Sequence, residues 1–241
     1  MNAASRADAA IYPLAYAARL AGLDPQTAAR WIRGYTFKHR GERRTSAPVV
    51  HVTSDNSPDG KHLTFAELLT LRLVRAFRER GLGLPAIRRA AQIATERYGV
   101  DNPFVTKSFR TDGRSVFLEL EDRGKLRGSD RLLVNALTGQ QQFREVVEPS
   151  LFKDVVFAGA MPEQWFPRGR DHSVVIRPDR SFGAPHIAGK GVRTDVIADA
   201  VAAEGRGEEA ILAVARWFGL TEKEVRDAVA AEAEWQLPKA A

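Results

Sequence analysis

Four side chains in one short segment have the spacing to read a nucleic acid: Gln26, Thr27, Arg30 and Arg33. Residues near the start of a helix laid in a major groove reach base edges, so Gln26 and Thr27 are the expected readers. Arg30 and Arg33, further along the same helix, can pair with guanine or with phosphate. A little later come Lys38, His39, Arg40, Arg43 and Arg44, with Glu42 the one carboxylate among them. That cluster suits phosphate contacts and salt-dependent binding. A solvated basic loop is the other reading of the same residues.

Catalytic chemistry finds little support in the spacing. Histidines 39, 51, 62, 172 and 186 show no H-E-x-x-H or carboxylate-triad pattern. Cysteine is absent, which removes disulfides and thiolate metal sites. Gly183 to Lys190 has five residues between its glycines and no Ser/Thr after the lysine, unlike a phosphate-binding loop. There is no G-x-S-x-G elbow. His186, inside the Gly-rich loop, reads as a structural hydrogen-bonder. The expectation is a non-enzyme with no catalytic residue, no metal site and no cofactor.

Charge is unevenly placed. The net charge is +6, yet residues 1–100 carry 16 Lys+Arg against 8 Asp+Glu, and residues 101–241 carry 20 against 22. The last stretch, 201–241, has 5 against 8. A polyanion partner is therefore expected for the front alone. No apolar run is long enough to span a membrane. The first residues lack the apolar stretch of a secretory signal, so the cytoplasm is the expected location.

The elements that must position these residues follow from local signals. Leu14, Ala17, Ala18 and Ala21 have helical spacing, and Gly22 ends the run. Asp24-Pro25 is an N-cap followed by proline at the first helical position, opening a second helix through Gly34. Trp31 and Ile32 would anchor that helix in a core. Pro48–Val52 is a strand signal and Asp55–Gly60 is turn chemistry; with the basic stretch they suggest a β wing. Thr64 and Glu67 form a capping box for a helix over 64–80, and Pro85 starts another over 85–98. Asp112-Gly113 between β-prone runs predicts a hairpin within 103–120, and 132–143 reads as a further strand pair. Pro162–Arg170 reads as a linker or extended arm. A strand at 173–176, a Gly-rich loop at 182–191 and helices near 194–203, 208–218 and 222–235 complete the chain, with Thr221 and Glu224 as another capping box. Ile211, Val214, Ala215, Phe218 and Val225 form a core stripe, and Trp217 and Trp235 are expected to pack with it.

Tyr12-Pro13-Leu14 through Asp24-Pro25-Gln26-Thr27, with Arg30-Trp31-Ile32, resembles the winged helix-turn-helix of MerR-type regulators and excisionase-like domains. The Leu63–Phe77 stretch and Gly81–Ile87 continue that pattern. Val174–Pro178 with Phe182–Thr194 is similar to a small domain family with a "GxPxIxGTR" style opening and three helices, often encoded beside PIN-domain ribonuclease toxins. Here Gly189-Lys190-Gly191-Val192-Arg193 replaces that family's tighter Gly-Thr-Arg. Together the halves resemble two-domain VapB-type antitoxins. The resemblance implies inhibition of a PIN-domain ribonuclease and repression of the protein's own operon through operator DNA. It makes Arg168, Arg170, Lys190 and Arg193 candidates to pair with carboxylates of a toxin metal site.

The expected fold is α+β: an N-terminal winged helix-turn-helix over residues 1–100, a β-rich connecting or dimer segment over 101–165, and a C-terminal three-helix domain, itself helix-turn-helix-like, over 166–241. A homodimer is expected, since such readers match palindromic half-sites. A stand-alone MerR-like regulator, with a C-terminal domain sensing a protein or ligand, is the alternative.

Overall fold

A computed structural model describes residues 10–52, 61–123, 131, 134 and 153–235. Strand β1 (Ile11–Pro13) leads into helix α1 (Leu14–Leu20). Ala17 and Ala18 of α1 are fully buried, small enough to bring a second helix close. That helix, α2 (Pro25–Arg33), starts at Asp24, whose carboxylate accepts from the amides of Gln26 at 2.9 Å and Thr27 at 3.0 Å. The cap satisfies two amides that the first turn leaves without helical partners. Gly22, at φ +70°, makes the reversal; a Cβ there would fall 1.7 Å from Arg75 Nη1. The Arg75 guanidinium in turn donates to Ala21 O at 3.0 Å and ties the turn to the next layer.

Strands β2 (Tyr35–His39) and β3 (Glu42–Ser46) follow directly and pair as an antiparallel hairpin. Its turn residues, Arg40 and Gly41, both have positive φ (51° and 85°), as a tight turn between right-twisted strands demands. These two strands are the basic stretch itself. Val49 and Val50, expected in a strand, are instead buried bends whose amides bond Trp31 O. The Asp55–Gly60 turn lies outside the described residues.

Strand β4 (His62–Thr64) pairs with β1, Tyr12 facing Leu63. It runs into helix α3 (Phe65–Glu79) through the expected capping box: Glu67 accepts from Thr64 N and Thr64 Oγ1 from Glu67 N. Helix α4 (Leu84–Tyr98) comes next.

The hairpin expected around Asp112-Gly113 is not formed. Residues there make helix α5 (Lys107–Asp122). Thr106 caps it by accepting from Phe109 N at 3.1 Å. Phe109, Gly113, Val116, Phe117 and Leu120 bury one helical face. Phe77, Phe104, Phe109 and Phe117 meet edge-on, with ring centres 4.9–6.5 Å apart. Asp112 receives Arg97 and Ser115 rather than closing a turn. Helical burial of four large side chains outweighs a local turn preference worth far less. The strand pair expected at 132–143 lies outside the described residues, except that Val134 is helical and buried.

Strands β5 (Val155–Ala158) and β6 (Met161–Trp165) form a second hairpin. The stretch expected as a linker thus begins inside β6. Trp165 exchanges backbone hydrogen bonds with Ile176 at 3.0 and 2.8 Å, just beyond strand β7 (Val174–Val175). The boundary expected at 165–166 falls within this paired region. β7 pairs with β8 (His186–Ile187). Three helices, α6 (Thr194–Ala203), α7 (Glu208–Phe218) and α8 (Glu222–Trp235), stand where the sequence predicts them. Thr221 and Glu224 cap α8 reciprocally.

The two ends of the chain are joined. Helix α8 packs on α1, and Tyr16 sits near Glu232 and Asp195; burial first, then those carboxylates, raise its hydroxyl pKa above the usual range. Arg72 of α3 pairs with Asp154 at 3.9 Å and covers the Trp165 ring at 5.2 Å. Burial lowers that guanidinium to about 10, against the opposing pull of Asp154. One apolar core runs continuously from β1 through α8.

Candidate nucleic-acid and partner interfaces

The front surface is built by α2 and the β2–β3 hairpin. Trp31 and Ile32 are buried, which turns the opposite face of α2 outward. Gln26, Arg30 and Arg33 are exposed there and Thr27 is half-buried. Arg30 places its guanidinium 5.8 Å from the Tyr35 ring centre, coupling the helix to the first residue of the hairpin. Arg88 of α4 fastens the hairpin's far end, donating to Ser46 Oγ at 2.6 Å and Pro48 O at 2.9 Å.

Hairpin register decides which cations share a face. Lys38 lies directly opposite Arg43, so both side chains leave the same face. Like charges facing each other across a strand pair are destabilising unless something anionic sits between them. Among the described residues neither has a carboxylate partner. On the other face Arg44 pairs with Glu42 at 3.2 Å, beside Phe37 and Tyr35. Arg40 sits exposed in the turn. The sequence-predicted DNA residues Gln26, Thr27, Arg30, Arg33, Lys38, Arg40, Arg43 and Arg44 thus occupy two adjoining elements. The register-matched Lys38–Arg43 pair was invisible in the sequence, because polar strands exposed on both faces leave no alternation to read.

The rear candidates behave differently. Arg168 donates to Ala230 O and pairs with Glu234 of α8. Arg170 donates to Lys153 O at 2.8 Å and lies 5.5 Å from the Phe166 ring. Lys190 donates to Gly219 O at 2.8 Å, at the end of α7. Arg193 grips Asp195 through two nitrogens, and that pairing raises its pKa. Each of these four already has a partner within the chain; irregular backbone does not reveal which carbonyls and carboxylates lie across it. His186 bonds Ala184 O at 2.9 Å, and burial lowers its pKa, which fits the structural role expected of it. Trp235 is buried, but Trp217 is 59% exposed, a correction to the expected packing: it lies off the Ala210–Val214–Ala215 stripe that α7 buries.

The chain is 31% identical over 239 residues to "Putative antitoxin VapB45" of Mycobacterium tuberculosis, covering 93% of this chain and 94% of that protein. The chain belongs to the VapB45 antitoxin family. A second relative from the same organism, "Uncharacterized protein Rv2308", is 27% identical over 99% of this chain and 97% of its own length. The X-ray crystal structure of Rv2018 from Mycobacterium tuberculosis superposes with a TM-score of 0.68 at 24% identity, over 93% of this chain and 99% of that one. The fold is thus shared with that structure over nearly the whole length. No family model matches the chain. Among the described residues of this VapB45 relative, no helix is long and apolar enough to cross a membrane.

Proposed function

We propose that this protein is a type II antitoxin that binds and inhibits a PIN-domain ribonuclease toxin and represses its own operon through operator DNA. The observation that carries the antitoxin reading is the end-to-end match to the protein named VapB45. The front module acts as a winged helix-turn-helix: α2 enters the major groove with Gln26 and Thr27 foremost, and the β2–β3 hairpin lies along the phosphates. What supports this is the facing Lys38 and Arg43, whose charges backbone phosphates would neutralise. A homodimer would place two such modules on a palindrome. The chain itself has no catalytic part in this scheme, and it works in the cytoplasm, where toxin and operator are found.

Toxin contact falls to the rear. Of Arg168, Arg170, Lys190 and Arg193, Arg193 is the best placed, since its pair with Asp195 is about half exposed (47% and 44%) and exchangeable. A toxin carboxylate would take the place of Asp195.

Co-expression with the product of the adjacent gene tests the reading. A stable complex that no longer cleaves RNA is expected. A freely active ribonuclease beside an uncomplexed antitoxin would overturn it.

A further inference from the structure

Phe182 is 95% exposed, the most exposed large apolar side chain among the described residues. Its backbone sits at φ +55°, after Ser181 at +49°, a region that bulky L-residues avoid. Strain of this kind persists only where neighbours hold it, and it concentrates at functional sites. The neighbours are present. Gly183 N donates to Arg180 O at 2.8 Å and Ala184 N to Ser181 O at 3.0 Å. Gly183 lies so close to β1 that a Cβ would fall 2.6 Å from the Tyr12 hydroxyl. Ser181 Oγ donates to Gly191 O at 3.2 Å.

Beside the knob is a notch of about 230 Å³, lined by Gln164, Val175, Arg177, Arg180, His186 and Lys190 with the backbone of the Gly189–Gly191 turn. No carboxylate lines it. Arg177 is committed to Asp179 and Glu163; Arg180 is exposed and makes no salt bridge among the described residues. Lys190 reaches Gly219, two residues beyond Trp217. Lys190 thereby ties this cationic notch to the end of α7, the helix that carries the exposed Trp217, and Arg180 lies two residues before Phe182. Rigid aromatic and arginine side chains on pre-ordered backbone are what protein interfaces use as anchors.

We propose that Phe182, Arg180 and Trp217 form the surface that docks an acidic protein partner. Phe182 enters an apolar socket, and a partner carboxylate enters the notch against Arg180. The partner is a protein carrying carboxylates, because cations and no carboxylate line the notch and the exposed Phe182 and Trp217 call for an apolar surface that a phosphate backbone does not offer. Identifying that protein as the toxin rests on the antitoxin reading above.

The test titrates the full-length protein with the ribonuclease encoded beside it, comparing wild type with Phe182→Asn and Arg180→Glu. Asn tolerates positive φ, so Phe182→Asn should melt no lower than wild type while its Kd rises at least ~10-fold. Arg180→Glu should weaken binding by a similar factor. A complex that forms with unchanged Kd in both variants overturns this surface and leaves the antitoxin reading standing. If Phe182→Asn instead abolishes self-association while toxin affinity holds, the surface belongs to a second copy and the proposal fails. No complex with wild type removes both readings together.

Discussion

In the β2–β3 hairpin, Lys38 faces Arg43 across the strands, and neither has a carboxylate partner among the described residues. In the rear half, Arg168 holds Glu234, Arg193 holds Asp195 and Lys190 caps α7. The rear cations secure the local fold, whereas Lys38 and Arg43 of the front have no carboxylate partner among the described residues. Net charge alone does not separate these uses; register and hydrogen-bond partners do. A side chain that destabilises its own hairpin is explained by an external anion, whereas one that closes a loop is already explained by the loop.

The comparison breaks most visibly at the rear. Asp227 accepts from Ser173 N at 2.8 Å, from Lys223 at 2.7 Å and from His172, and its side chain is 10% exposed. Asp227→Asn should cost about 2 kcal/mol of stability, read by denaturant unfolding. Burial pushes the Asp227 carboxyl up, but Lys223 and the Ser173 and His172 bonds outweigh it and hold the pKa below the usual range. Its stabilisation is therefore present above the unfolded carboxyl's pKa and lost as pH falls through the folded value. The Asn variant should lose less stability on acidification than wild type does.

At the front, Arg43→Glu turns a repulsive cross-strand pair into an attractive one. Melting temperature should rise slightly, by the equivalent of about 0.5 kcal/mol, while affinity for the upstream duplex drops ~10-fold, or about 1.4 kcal/mol. Opposite signs in the two assays are the mark of a residue placed for an outside partner. Asp24→Ala removes the cap of α2 and should cost about 1 kcal/mol, weakening DNA binding and stability together. The smallest effect is expected for Arg193→Ala: within about 0.5 kcal/mol on folding, because the Asp195 pair is solvent-screened.

Much of this architecture was legible because caps are local. Asp24-Pro25, Thr64 with Glu67, and Thr221 with Glu224 each announce a helix start through side chains that bond amides within three residues. Of the three rear helices only α8 has such a cap; α6 and α7 have no side-chain cap and were legible from apolar spacing. Helix α5 was hidden because Asp112-Gly113 has turn chemistry, and only the arrival of Arg97 from α4 and the phenylalanine cluster gives those residues another use. The β2–β3 hairpin was placed too late in the chain, since Glu42–Ser46 exposes nearly every side chain and offers no period. At the candidate sites, residue types were readable. Partners across tens of residues, such as Arg168 with Glu234, were not.

We propose that Lys38 and Arg43, which have no carboxylate partner among the described residues, hold the phosphates of a duplex. Fluorescence anisotropy of the intact protein on its upstream DNA, across a range of salt concentrations, tests it most directly. Wild type should bind with a steep salt dependence, and Lys38→Ala with Arg43→Ala should make the log–log slope shallower by about two, one per lost phosphate contact. An identical slope in the double variant, or no binding by wild type in dilute salt, would contradict the account.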